Sequence, residues 1–228
     1  MQGEAMRQAF HEQLDEMSDA LVRLTRLVGS AMNRATQSLL DADLRMAEDV
    51  IAADIDIDSV TSEIEETCFD IIALQAPVAS DLRVVIGGLR IAASLERMGD
   101  LAEHVAKQAR MRYPNPAVPG ELRGTFAEMG GIAEAIVSKT GAVIATKDVS
   151  LAADIARHDE QMDHLHRELF RIVLSPRWSH GVEAAIDITL LSRFYERYAD
   201  HAVSVTRRVV PIATGEPYAG VTLEPHAS

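Results

Sequence analysis

Four pairs of acidic residues, each spaced i, i+4, are the part of this sequence whose residue types and spacing could do chemistry. The pairs are Asp54 with Asp58, Glu96 with Asp100, Asp159 with Asp163, and Glu196 with Asp200. Residues four apart on an α-helix lie on the same face one turn from each other, so each pair places two carboxylates side by side. One such pair is ordinary on a solvated helix, and the repetition is what points to a functional site.

The pairs also fall at matched heights if consecutive helices form antiparallel hairpins. A hairpin that turns near Pro77 places positions 56 and 98 at one level, and a second that turns near His180 does the same for positions 161 and 198. Four carboxylates would then face one another in each half of the chain. Such a group needs protonation, arginine pairing or a bound cation. Clustered oxygens without cysteine favour hard or borderline cations.

Four neighbouring residues extend this prediction. His104 follows Asp100 by one turn and His201 follows Asp200 directly, so both are candidate additional ligands, although an ordinary helix contact to residue i−4 is the simpler interpretation. Arg97 and Arg197 are interpreted first as structural neutralisers that pair with acids on the facing helix.

Apolar residues recur at spacings of three and four over six segments, which predicts six helices and an all-α fold. The expected helices are 14–40, 44–74, 78–111, 122–146, 149–174 and 182–210. Three prolines predict a linker at 114–120, because proline cannot donate a helix or ladder hydrogen bond. A first bundle of three helices is expected over 1–113, a second over 121–212, and a flexible tail over 213–228.

The two halves are related as an internal repeat. An offset of 100 superposes Glu96-Arg97 on Glu196-Arg197 and Asp100 on Asp200, and an offset of 105 superposes Asp54 on Asp159. The chain therefore reads as a tandem repeat of two antiparallel three-helix bundles.

Composition narrows the class of partner. The chain has 35 Asp and Glu against 22 Lys and Arg, a formal charge of −13, which argues against nucleic acid as a main partner.

Only ten aromatic residues are present, which favours helices packed on helices. A single cysteine, Cys68, excludes an intramolecular disulfide. No signal peptide or spanning segment is evident, so a cytoplasmic protein without direct membrane insertion is expected.

Three segments carry a resemblance to a known family: Asp81-Leu82-Arg83, Leu95 to Ala102 and Glu196 to Ala202. With them the chain resembles the PhoU family of phosphate-transport regulators over residues 6 to 212. The resemblance implies a PhoU-like tandem bundle that acts as a negative regulator of the phosphate-starvation response and of high-affinity phosphate uptake.

The resemblance also implies partners and a cofactor. The expected partners are the ATPase subunit of the phosphate ABC transporter, at the inner face of the membrane, and the phosphate-sensor histidine kinase. Separately, the elongated shape of such bundles favours self-association, and a homodimer is expected. The expected cofactor is a divalent or trivalent ion, Fe, Mn, Mg or Zn, held by the eight carboxylates of the four pairs.

Two other readings use the same residues. A metal-storage or redox bundle is the alternative, although the Glu-x-x-His spacing of di-iron bundles is absent from the pairs. The simplest hypothesis is a purely structural helical interaction protein, in which these acids have no special role. No glycine-rich phosphate loop or catalytic triad spacing is evident, so no enzyme activity is expected.

Overall fold

A computed structural model describes the backbone of residues 2–214 and the side chains of residue 8 and residues 10–214. Over this range the chain forms six α-helices, one short 3₁₀ helix and no strand, which confirms the all-α prediction. The helices are α1 Gln2–Asp41, α2 Leu44–Gln75, α3 Ser80–Arg112, α4 Arg123–Thr146, α5 Leu151–Val173 and α6 Gly181–Thr214, and the 3₁₀ helix Gly120–Leu122 precedes α4.

Four helix ends differ from the sequence prediction by two or more residues. Helix α5 begins at Leu151 and not at 149. Helix α1 begins at Gln2, well before the expected position 14. Helix α3 begins at Ser80 because Ala79 adopts a positive φ of 50°, which breaks the helical path. Helix α6 continues through Pro211 to Thr214, so the predicted tail is wrong for 213 and 214, and the rest of it lies outside the described residues.

Packing joins the two halves through α1 and α3. Helix α1 contacts α2 and α3 of its own half and also α4, while α3 contacts α6. Leu24 and Val28 of α1 are fully buried, and the apolar core forms one cluster that includes residues from all six helices.

Helices α3 and α6 run antiparallel along each other. At one end, the Arg112 guanidinium donates to both carboxylate oxygens of Asp187, at 2.6 and 2.9 Å, and Gln108 donates to the same carboxylate at 2.6 Å. At the other end, the side chain of Ile212 lies directly against Gly87. The α2–α3 turn and the α5–α6 turn therefore lie at opposite ends of the molecule.

The core face of α3 lies beside the helix stripe that carries Glu96 and Asp100. Leu82 and Ala93 share a stripe with Glu96 and Asp100, yet both are exposed, whereas Leu95 and its neighbours one turn away form the core face. The acidic pair consequently lies at the edge of the core and not within an apolar stripe.

Two adjacent glycines of α4 face different surroundings and give a direct test of the α1–α4 contact. A Cβ at Gly130 would lie 2.6 Å from Thr36 Cγ2, whereas a Cβ at Gly131 would meet nothing within 4 Å. Thr36 cannot easily move, because its hydroxyl bonds the Met32 carbonyl at 2.8 Å and the Tyr195 hydroxyl at 2.7 Å.

We expect Gly130→Ala to lower the free energy of unfolding by about 1–3 kcal/mol through overpacking. Gly131→Ala should instead raise it by about 0.5–1 kcal/mol, since alanine loses less entropy in a helix. Urea unfolding followed by circular dichroism measures both. Equal effects of the two substitutions would contradict the close approach of α1 and α4.

Candidate functional site

The structure brings the four predicted carboxylates of the first half together across the α2–α3 hairpin. Asp54 lies close enough to Asp58 and Asp100, and to Glu103, for each to act on its charge. Burial raises the pKa of Asp54 to about 6, and repulsion from Glu103, Asp58 and Asp100 adds to the effect. Burial also raises the pKa of Glu96, with further repulsion from Asp100 and Asp58. Asp54, Asp58, Glu96 and Asp100 form the first acidic cluster.

The second acidic cluster has the same composition on the α5–α6 hairpin. Burial raises the pKa of Asp159 to about 7, and repulsion from Asp163, Asp200 and Glu196 raises it further. The pKa of Glu196 is likewise raised to about 7, first by burial and then by Asp200. Burial and Asp163 raise the pKa of Asp200. All eight predicted carboxylates therefore lie in two groups of four.

The first cluster depends on a close approach of α2 to α3. Gly99 precedes Asp100, and a Cβ at this position would lie 3.0 Å from Ile57 Cδ1 and 3.5 Å from the Asp54 Oδ1 atom. Its absence lets the α2 backbone come near enough for Asp54 to share the site. The second half has Ala199, fully buried, at the equivalent position.

The predicted neutralising arginines act differently from the expectation. Arg97 donates to Asp100 at 2.7 Å on its own helix, and not to the facing helix as predicted. Arg197 has no ion pair among the described side chains. Its positive charge opposes, without reversing, the rise in the pKa values of Glu196 and Asp200.

The two histidines lie beside the clusters. The His104 Nδ1 atom is 2.5 Å from the Asp100 carbonyl oxygen, which is the ordinary i−4 helix contact, and its ring packs on Phe194 with centroids 5.3 Å apart. His201 is half-buried, and burial followed by the charge of Arg197 lowers its pKa. Neutral imidazole is the form that binds metal.

Sequence reasoning missed three participants. Glu103 acts on Asp54 and is bonded to Lys107 at 2.5 Å, and Arg193 forms an ion pair with Glu196. Glu103 and Arg193 each lie three residues from an acid of the pairs, and Lys107 lies four residues from Glu103. Extending the i, i+3 and i, i+4 search along α3 and α6 would have found all three.

The second cluster consists of carboxylates, the donor type that hard or borderline cations favour. The Glu196 Oε2 atom is buried without a hydrogen-bond partner, and a bound cation would satisfy it. In the described part of the chain, however, no group of three or more His, Cys, Asp or Glu side chains is arranged to hold a metal ion. The carboxylates would have to rotate to coordinate one.

Because these carboxyl pKa values are raised, the free energy of unfolding should decrease as pH rises. Between about pH 4 and 7 the folded chain binds protons at Asp159 and Glu196 that the unfolded chain has released, so folding weakens as pH rises through this window. We expect Asp159→Asn with Glu196→Gln to remove about 1–2 kcal/mol of this decline in the free energy of unfolding. This is less than the full pKa shifts imply, because the cluster is partly solvated.

Urea unfolding of chelator-treated protein at a series of pH values measures how far the free energy of unfolding declines as pH rises. Glu160→Gln on the exposed side of α5 is the matched control and should leave it unchanged. An identical slope in the double variant would show that the pKa values of these two carboxylates are not raised in the folded chain.

Comparison with known proteins identifies the chain's relatives. Residues 21–109 and 126–209 each match the PhoU domain. A phosphate-specific transport system accessory protein, PhoU homolog 2 of Mycobacterium tuberculosis, is 50% identical over 92% of this chain and 99% of its own length. The PhoU homolog of Aquifex aeolicus is 32% identical over 90% of this chain and 93% of its own.

Solved structures agree with this. The phosphate transport system regulatory protein PhoU of Streptococcus pneumoniae superposes with a TM-score of 0.80 at 28% identity, covering 91% of this chain and 98% of that one. PhoU of Pseudomonas aeruginosa superposes with a TM-score of 0.78, also at 28% identity, over 91% and 100%. Two matched domains that together span most of the chain, with relatives at this identity, show that the chain belongs to the PhoU family.

Proposed function

We propose that this chain is a non-enzymatic accessory protein that regulates phosphate transport and represses the phosphate-starvation response when phosphate is plentiful. Its relationship over nearly the whole chain to proteins named as accessory to the phosphate-specific transport system carries the proposal. No described helix is both long and apolar enough to cross a bilayer. The chain would act in the cytoplasm, as a homodimer, between the ATPase subunit of the phosphate ABC transporter and the phosphate-sensor histidine kinase.

Inactivating the gene tests this function. In phosphate-rich medium, phosphate uptake and the phosphate-scavenging genes should rise several-fold, because the repressing link is lost. Reporter fusions and uptake of labelled phosphate measure the change, and the wild-type gene supplied in trans should reverse it. The same cells in phosphate-poor medium are the control, since the genes are already expressed there. Continued repression in rich medium would overturn the proposal.

We further propose that each acidic cluster holds one or more cations, Fe, Mn, Mg or Zn. A bound cation would supply positive charge that offsets the repulsion among the carboxylates. In the second cluster, Asp159 and Asp163 of α5 would hold it together with Glu196 and Asp200 of α6. The unpartnered Glu196 Oε2 atom supports this assignment. Ligands from two helices would also link the hairpin, so binding would stabilise the fold.

Metal addition should therefore raise the melting temperature at neutral pH. With free Mn²⁺ at about a hundred times its Kd, the expected stabilisation is about 3 kcal/mol. Differential scanning calorimetry measures it. In the variant Asp159→Asn with Asp200→Asn, the second cluster should contribute nothing to the rise in melting temperature. The variant Glu160→Gln should show the same rise as the wild type.

The outcomes separate the functions that share these residues. The absence of any melting shift with Mn²⁺, Fe²⁺ or Zn²⁺ would show that the clusters act only by their charge. Sustained oxidation of Fe²⁺ with turnover would favour a redox bundle over an accessory protein.

A further inference from the structure

The α2–α3 turn carries a group of apolar side chains that the fold leaves uncovered. Phe69, Leu74, Val78 and Leu82 are 61%, 71%, 73% and 38% exposed. Large apolar side chains exposed together are unusual on a monomeric surface and mark interaction sites. Phe69 lies three turns along α2 from Asp58, on the same helix stripe, so the apolar group adjoins the face that carries the first acidic cluster. These four residues and the acids around them are called the first hairpin end.

The second half repeats the exposed apolar positions. By the offsets of the internal repeat, Phe69 corresponds to Leu174 and Leu82 to Val182, and these are 78% and 77% exposed. They lie at the α5–α6 turn, called the second hairpin end, on the opposite side of the molecule. Exposure at equivalent positions in both halves argues that the uncovered surface is a property of the hairpin and not of one stray residue.

The two ends differ in charge. At the first hairpin end, four carboxylates have no ion-pair partner among the side chains that the structure describes: Glu65, Glu66, Asp70 and Asp81. Arg83 is the one cation next to them in sequence. The first end is therefore apolar and anionic.

At the second hairpin end the carboxylates are already paired. Glu168 contacts Arg171 at 3.5 Å, and Glu183 and Asp187 both bond to Arg112. Arg177, in the turn itself, has no acidic partner in the described part of the chain. The second end is apolar without being anionic, which makes it a natural comparison for the first.

We propose that the first hairpin end docks an amphipathic helix of a protein partner, one with lysine or arginine beside its apolar face. Such a helix would cover Phe69 and Leu82 and would place cations near Glu66 and Asp70. Complementary charge of this kind raises the association rate and selects the partner. An anionic membrane surface is disfavoured because it would meet the same carboxylates, and two first ends would repel each other for the same reason. The inference deepens the proposed regulatory function, on which it rests for the partner's place in phosphate transport.

A synthetic helix tests the docking surface without any knowledge of the natural partner. The probe is a fluorescein-labelled peptide of leucine and lysine, about five turns long, with leucines at i, i+3, i+4 and i+7. An isomer of the same composition with leucines scattered around the helix controls for charge alone. Fluorescence anisotropy with the full chain gives the affinity of each.

Variants of the two ends decide the outcome. Phe69→Ser with Leu82→Ser should weaken the Kd of the amphipathic probe about tenfold or more, because apolar area is no longer buried. Leu174→Ser with Val182→Ser, the matched change at the second end, should leave it unchanged. Glu66→Gln with Asp70→Asn should weaken binding and reduce its salt dependence. These two acids are exposed, so the last variant keeps the fold even if the first pair does not.

Three results would overturn the proposal. The first is equal loss of probe binding in the two apolar variants, which would indicate general stickiness. The second is binding of the chain to vesicles with an anionic lipid that Phe69→Ser with Leu82→Ser abolishes, which would indicate a membrane surface. The third is self-association in sedimentation velocity that the same variant abolishes, which would indicate a second copy. None of these depends on whether gene inactivation derepresses phosphate uptake, so the two hypotheses can fail separately.

Discussion

The burial and mutual repulsion of carboxylates at the edge of the helix core form the constraint on which the rest of this structure depends. In each half, burial and then repulsion from neighbouring acids raise the pKa of at least one acid on each helix of the hairpin: Asp54 and Glu96 in the first half, Asp159, Glu196 and Asp200 in the second. The helix packing holds these acids in place at a cost in stability. Each hairpin offsets part of that cost locally. Arg97 bonds Asp100 in the first half and Arg193 bonds Glu196 in the second. Under the proposal that each cluster holds a cation, the positive charge would offset the rest of that cost.

The antiparallel contact of α3 and α6 sets where everything else lies. Under the offset of 100, Arg112 corresponds to Ile212 and Asp187 to Gly87, so the ion pair at one end and the apolar contact at the other are the same contact in duplicate. A duplicated chain that packs its third helices in this way is nearly two-fold symmetric. The symmetry places the two hairpin turns at opposite ends of the molecule and both acidic clusters between them.

Much of this arrangement is predictable from the sequence, because its signals are periodic. Six helices follow from apolar spacing, and the pairing of Asp54 with Asp100 across a hairpin follows from the position of Pro77. What the sequence does not predict is rotation about the helix axis. Leu82 and Ala93 look as apolar as Leu95, yet only Leu95 is buried, because the packing of α1, α2 and α6 on α3 decides which of its faces is covered. Likewise, nothing local marks Pro211 as helical, since the contact of Ile212 with Gly87 is made by a segment far away in the chain.

Comparison of the two halves separates what the fold requires from what it only tolerates. Both halves keep four acids that repel one another, although amides of the same size would pack without that penalty. Both also keep exposed apolar residues at the hairpin ends, where polar residues would be more soluble. The charges around those ends, by contrast, differ. Features that oppose stability and yet occur twice need a reason outside folding. Under the proposed function, the difference in charge would suit the two ends to different contacts, as a regulator that links two unlike partners would require.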